Sequence, residues 1–443
     1  MINTSCRAAI GTASWALAAG IAMAQPTVPH LPGEDGILPQ PHVALVNTHV
    51  VNVVDGTVLE DAVVVVRDGL IESVGAGPPP ADAHVLDLGG RHLMPGLFDA
   101  HWHGRTLDGL YRALESGVTT MKSAAVGSYL DVRMNDMVEQ GYLAGPEIFA
   151  AGVYVLPNLG QSALADPRLY KYLHREVKGP EAVREVVQVD VDRGARWIKT
   201  RSGGTTSGPN GPDPKMLVYS VEELTAIVEE ADALGVKVAC HSHGKEVVRN
   251  AIIAGCATIE HGSYVDEEGL QLMLEMGTAW VPTYTSVVGF LLPHDDYESS
   301  ASYQRGSHLL HYLEKGFKRA LELGVTIITA TDTQYGPRTN VRIYREMTHF
   351  VEMGMTPLQA LQSATIRSAE VYGIRNRTGA IEVGLEADLV SVDGNPLEDI
   401  YATHEPMFVM SNGRIVFHRT VDPDHYIPRR VGVTGFGTGG PRP

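Results

Sequence analysis

In "LMPGLFDAHWHG", Leu93 to Gly104, an apolar run leads straight into His101 and His103, two imidazoles one residue apart. Side chains alternate faces along a strand, so these two point one way and Trp102 the other. Paired ring nitrogens at a strand end are the donors of a divalent-cation site. They are also what two ordinary polar residues at the mouth of a sheet look like, and the spacing alone does not choose. Further donors occur in similar settings: Lys199 in "ARWIKT", His241 closing "GVKVACH", His261 closing "ATIEH" and Asp332 closing "GVTIITATD". Singly, each has a structural explanation: an ion-paired lysine, a satisfied buried histidine, an aspartate capping a turn. Together, four imidazoles, a carboxylate and a lysine form the mixed nitrogen and oxygen set that suits borderline divalent ions.

Such residues can meet only if the elements carrying them end at the same place. The middle of the chain, 96–381, alternates apolar runs with helical patterns. The runs are "LMPGLFDAHWH", "GVTTMKSA", "EIFAAGVYV", "ARWIKT", "GVKVACH", "ATIEH", "TAWVPTY" and "GVTIITATD". Between two of them, "SVEELTAIVEEADALG" has helical periodicity, with Ser220 as N-cap, Glu223 completing a capping box and Gly235 ending the helix. Strands alternating with helices in this way predict an α/β fold, a (β/α)8 TIM barrel whose active residues gather at the C-terminal strand ends. A doubly wound open sheet is the alternative, but no glycine-rich phosphate loop follows the first strand. Short β-rich runs with Asp-Gly turns at Asp55–Gly56 and Asp68–Gly69 precede the middle region, and "ADLVSVDG" and "PMFVMSNGRIVF" follow it. Segments 43–95 and 382–420 are therefore expected to form one small β-sandwich domain from both chain ends.

The first 24 residues have a basic start at Arg7, an apolar stretch and a small-x-small sequence before Gln25. They predict an export signal cleaved after Ala24, and hence a periplasmic or secreted protein with no membrane partner after cleavage. The stretch is too short and too rich in small residues for an anchor. A proline-rich lead-in (25–42) and a Gly/Pro-rich tail (421–443) flank the folded part. With 35 basic and 52 acidic residues the net charge is −17, which repels phosphate backbones and argues against nucleic acid as a partner. Of three cysteines, Cys6 leaves with the signal. Cys240 and Cys256, if the following His241 and His261 are level on neighbouring strands, would lie on the order of 13 Å apart. Two free, buried thiols are the expectation, because a disulfide needs α-carbons within roughly 7 Å.

The stretches "MPGLFDAHWHG", "WIKTRSGG", "CHSHG", "TIEHGS", "TATDT" and "GAIEVGLEADLVSVDGNPLEDI" resemble the metal-dependent amidohydrolase superfamily over residues 43 to 420. Within it the chain is most similar to the imidazolonepropionase-like and Xaa-Pro dipeptidase-like branch. The resemblance implies two divalent metal ions. His101, His103 and Asp332 would hold the buried ion, His241 and His261 the more exposed one, and a carbamate formed on Lys199 from carbon dioxide would bridge them. Zinc fits these donors best, with manganese, cobalt or iron as alternatives. A metal-bridging hydroxide would then attack the amide bond of a dipeptide or N-acyl amino acid, with Asp332 as catalytic base and acid, and a homo-oligomer is implied. For substrate contacts the candidates are His243, Tyr219 at the end of the long loop after Lys199, and Arg338, with Arg201 and Arg105 by residue type alone. Cyclic amides or lactones are the competing substrates, and a noncatalytic binding protein on a retained barrel the competing class.

Overall fold

The computed structural model describes residues 41–204, 213, 215–292 and 300–419. The expected export signal, most of the lead-in and the Gly/Pro-rich tail lie outside the described residues. Among the described residues no helix is long and apolar enough to cross a membrane.

One sheet collects strands from both ends of the chain. Its strands are β1 (His42–Val51), β2 (Val58–Arg67), β3 (Leu70–Gly75), β4 (His84–Pro95), β12 (Leu389–Val392), β13 (Pro406–Ser411) and β14 (Arg414–His418), in the order β14-β13-β12-β4-β1-β2-β3. Asp68 and Gly69 both take positive φ, 50° and 84°, as the tight turn between β2 and β3 requires. Beyond β3 the sheet turns back on itself. Ile71 N–H donates to the Leu385 carbonyl at 2.8 Å and Ala387 N–H to the Gly69 carbonyl at 2.8 Å, so the β2–β3 edge returns to the segment that feeds β12. This is the sandwich-like closure expected of a small sheet that must bury one face.

The remaining strands are parallel. β5 (Leu97–Trp102), β6 (Val118–Ser123) and β7 (Glu147–Phe149) form one sheet. β8 (Trp197–Arg201), β9 (Lys237–Ser242), β10 (Thr258–His261) and β11 (Ala279–Val281) form another. Isolated parallel bridges link them: Val155 with Thr200, Trp280 with Ile327, and Thr333 with Trp102. The segment around Ile327–Thr333 thus supplies the eighth position, and the pairings run in a ring as a (β/α)8 barrel demands. The helix Val221–Ala233 carries the expected capping box between Ser220 and Glu223.

Inside the ring, Phe98, Phe149 and Trp197 pack around Tyr372 of the helix Ile366–Tyr372 and close the N-terminal end. Ala239, Ile328 and Ala330 complete that apolar layer.

The expectation of two free thiols is wrong: Cys240 and Cys256 form a disulfide, with α-carbons 6.1 Å apart. Two assumptions behind the longer distance fail. His261 is level with Ser242 and not with His241. Cys256 also lies before β10, in the turn leaving the helix Lys245–Ile253, where its N–H donates to the Ala251 carbonyl at 3.1 Å. The chain bends there at Gly255, φ 94°, instead of running on extended, and carries Cys256 back beside β9.

Candidate metal centre and active site

Five strand ends deliver six candidate donors to one cavity of about 160 Å³, lined by His101, His103, Lys199, His241, His261 and Asp332. Regular alternation would not bring all of them inward. On β5 Ala100 packs in the apolar interior, yet the next residue, His101, also faces in, because the pairing with β6 slips between Asp99 and Trp102. Trp102 then points outward into the core beneath the helices. On β10 Glu260 faces the interior, and His261 follows it inward by adopting φ 68°. Asp332 sits at φ 53°. Non-glycine residues in this left-handed region carry local strain, and such strain concentrates where side chains must be aimed.

The donors form two groups. His101 Nε2 lies 3.2 Å from His103 Nε2 and 3.5 Å from Asp332 Oδ1, and His103 Nε2 lies 3.3 Å from the same oxygen. His241, His243 and His261 form the second group, with one ring nitrogen from each within 4.8 Å of the others. His243 and His261 stack at 4.9 Å, and each spends Nδ1 on a hydroxyl: Ser263 Oγ at 2.8 Å and Thr283 Oγ1 at 2.8 Å. Their Nε2 atoms are left for the cavity.

The site's polar groups test whether cations fit. Lys199 Nζ and His241 Nε2 are buried without a hydrogen-bond partner among the described residues, a costly condition unless something else satisfies them. Burial, reinforced by the Lys199 charge, pushes the His101 imidazole down to about 4, and burial with the nearby Arg201 pushes His243 to about 3. His241 and His261 are also held well below the usual histidine range, chiefly by burial, which Asp332 opposes at His261. Four neutral imidazoles therefore present lone pairs at neutral pH. Burial lowers the Lys199 ammonium to about 8 against the opposing pull of Glu260. Asp332 stays ionised: burial raises it, but the imidazoles of His101, His103 and His261 outweigh that. Neutral imidazoles, an ionised carboxylate and a buried amine that makes no hydrogen bond fit divalent cations.

His243 lines the cavity, with one ring nitrogen close to those of His241 and His261. Arg201 lines the cavity. The other three candidates lie away from the cavity. Tyr219 is 1% exposed and packs in the hydrophobic core, its ring 4.8 Å from Lys178 Nζ, away from the cavity. Its apolar ring is used to seat the start of the helix Val221–Ala233. Arg338 is exposed and does not line the cavity, and Arg105 is likewise exposed, as strongly hydrated guanidinium groups on loops tend to be. Sequence reasoning missed Tyr154, Arg305, Glu260 and Lys122. Tyr154 and Arg305 line the cavity, and Tyr154 lies in an otherwise apolar run, where a lone phenol gave the only signal. Glu260, one residue before His261, is assigned by alternation to the opposite face.

Residues 92–416 match the amidohydrolase family. The ochratoxinase of Aspergillus niger is 32% identical over 403 residues, covering 80% of this chain and 82% of its own length. Its crystal structure superposes with a TM-score of 0.72, covering 87% of this chain and 98% of that one. A Xaa-Pro dipeptidase with methionine bound in its active site gives a TM-score of 0.73 at 27% identity, covering 84% of this chain and 99% of that one. An imidazolonepropionase of Rhizobium rhizogenes is 24% identical over 384 residues, 75% of this chain and 86% of its own length. With a cation-ready cavity at the C-terminal mouth of its barrel and a family match spanning most of its length, the chain belongs to the amidohydrolase family, within the metal-dependent amidohydrolase superfamily, and is a hydrolase.

Proposed function

We propose that this amide-bond hydrolase is an exported, binuclear enzyme acting on small substrates that carry a free carboxylate, dipeptides of the Xaa-Pro type or N-acyl amino acids. The carrying observation is two overlapping clusters able to hold an ion, His101/His261/Asp332 and His241/His243/His261, in one cavity with His103 and with Lys199 Nζ, which is buried without a hydrogen bond and 3.6 Å from Glu260 Oε2. His101, His103 and Asp332 would hold one cation, His241 and His261 the other with His243 adjacent, and Lys199 would contribute to both. Zinc suits the donors. Bound there, the cations supply Lewis acidity toward the amide carbonyl and make water a competent nucleophile near neutral pH.

The chain's own residues do the rest. A lysine with its ammonium lowered to about 8 has a neutral fraction at physiological pH. Its Nζ lone pair can form a bond to the carbon of carbon dioxide and release a proton, leaving a carbamate with two anionic oxygens. Asp332, ionised and held at 3.4 Å from Ser286 Oγ, takes the proton of the attacking water and returns it to the leaving nitrogen. An amide nitrogen otherwise leaves poorly as an anion. Arg201 and Arg305 line the same cavity, and Tyr154 stands between Arg201 and Lys199, with its ring 5.4 Å from the guanidinium carbon and 5.9 Å from Nζ. Two guanidinium groups facing a compact cavity favour a carboxylate-bearing substrate.

Export is supported by the basic–apolar–small pattern of the first 24 residues and by the disulfide, a bond that persists in oxidising compartments.

The test is a free-amine assay of the zinc-loaded mature protein on dipeptides and N-acyl amino acids, each with its C-terminal carboxylate free or amidated. Cleavage confined to the free acids, with KM raised about 10-fold or more by Arg305→Ala, is expected. Equal cleavage of acids and amides would remove the carboxylate requirement and point to cyclic amides or lactones.

A further inference from the structure

Beneath the donors lies a buried chain of groups that the proposed reaction does not use. Lys122 on β6 donates from Nζ to Glu260 Oε1 at 2.9 Å and to Thr258 Oγ1 at 3.2 Å, and Thr258 Oγ1 donates to Glu260 Oε1 at 2.6 Å. The other carboxylate oxygen, Oε2, is bonded to Nδ1 of His101 and lies 3.6 Å from Lys199 Nζ. Lys122 and Glu260 are 0% exposed and His101 is 1% exposed. β6 and β10 are not neighbours in the ring, so the ion pair is a strut across the barrel interior that ends on a donor histidine.

We propose that Glu260, held in place by Lys122, is the positioning residue that sets the tautomer and ring angle of His101 for cation binding. The proposal rests on the cation-binding reading above. A neutral imidazole has one N–H and one lone pair, and which nitrogen has which is decided by what the other meets. An ionised carboxylate can only accept, so its contact with Nδ1 places the hydrogen there. Nε2 then keeps its lone pair, facing His103 Nε2 and Asp332 Oδ1. Carboxylate–histidine pairs of this kind both orient a ligand ring and raise its basicity.

Lys122 is needed because a carboxylate so deeply buried is not tolerated alone. With Lys122 and Thr258 holding Oε1, the carboxylate plane is fixed and Oε2 has one direction to point. The left-handed backbone at His261 follows from the same requirement, since it lets β10 present both the positioning carboxylate and the next donor to the interior. The second oxygen sits closer to the donor histidine than to Lys199, which ion pairing alone does not require.

The experiment compares the cation-free protein with the double variant Lys122→Met/Glu260→Leu, which removes both charges at similar volume. Zinc affinity is read by competition with a chromophoric chelator, and Tm is measured with and without zinc. One of the two zinc sites should weaken by roughly 10- to 100-fold, and the zinc-induced rise in Tm should shrink. Unchanged zinc affinity, or a Tm loss equal in the presence and absence of zinc, would overturn the proposal. Should the variant not fold, the tautomer is read directly from long-range ¹H–¹⁵N spectra of the cation-free parent, with His101→Asn identifying the signal. Hydrogen on Nδ1 is expected, and hydrogen on Nε2 overturns the assignment. A parent that binds no zinc would count against the proposed metalloenzyme, while the tautomer measurement would still judge Glu260.

Discussion

The two ends of the barrel interior are built from the same strands and do opposite things. At the N-terminal end Tyr372 packs against Phe98, Phe149 and Trp197 with ring centroids 5.5, 4.9 and 5.0 Å away. At the C-terminal end the imidazoles of His101, His241, His243 and His261 approach each other at similar separations, 4.5 to 4.9 Å. One layer gains from burial. The other buries polar groups and leaves Lys199 and His241 with nitrogens that make no hydrogen bond among the described residues. β8 passes from one regime to the other in two residues, Trp197 to Lys199, and β9 does so from Ala239 to His241. A barrel can therefore separate stability from chemistry along a single strand, because inward positions two residues apart lie in different layers.

If that division is sound, the sharpest way to break it is Asp332→Asn. Turnover should fall roughly 10²- to 10⁴-fold, while the unfolding midpoint hardly moves. Near-normal turnover in a protein that still binds zinc would remove Asp332 from its role. Tyr372→Ala should do the reverse. Loss of a large buried ring costs about 3–5 kcal/mol, visible in denaturant melts, with kcat of the folded fraction retained. Loss of activity in parallel with stability would show that the layers are coupled.

The disulfide belongs to neither layer, since both cysteines sit in the core under the helices. Breaking it by Cys240→Ala/Cys256→Ala opens a loop of 16 residues, for which the chain-entropy account gives about 3 kcal/mol. Chemical unfolding should register that loss, with kcat unchanged.

A further contrast, read as a slope against pH, is between two buried aspartates. Asp332, among imidazoles, is held below the usual carboxylate range, whereas burial pushes Asp388 up to about 7. Asp388 accepts from the Asn412 N–H at 2.8 Å and from Thr378 Oγ1 at 2.7 Å, with no cationic partner beside it among the described residues. Its folded-state value is the higher one, so the folded protein holds a proton that the unfolded chain has released. Stability contributed by this group is present below the unfolded value of 3.8 and declines as pH rises toward 7. The decline is at most about 1.4 kcal/mol per pH unit in that window. Asp388→Asn should remove this part of the slope when unfolding is followed from pH 4.5 to 7. An unchanged slope would mean that water reaches the carboxylate.

Much of this site was legible from residue order. An apolar run ending in a polar donor marks a strand that opens into a pocket, and His101, His103, Lys199, His241, His261 and Asp332 each carried that mark. Tyr219 and Arg338 carried only a suitable residue type, and packing placed one in the core and the other in solvent. Glu260 and Lys122 carried no readable mark, because period-two alternation turns Glu260 outward whenever His261 turns in. The disulfide was lost for a related reason: extending Cys256 along a strand ignored the bend at Gly255.

Residue order alone accounts for the alternation of strands and helices, the capping box at Ser220, the Asp-Gly turn after β2 and the choice of candidate donors. These follow from local periodicity and side-chain chemistry, which operate over a few residues. Only the tertiary structure decided which donors share a cavity, which histidine nitrogen each keeps free, and that Lys122 reaches Glu260 across the barrel. Those outcomes depend on register slips and positive-φ residues at strand ends, where packing of the closed barrel overrides local preference.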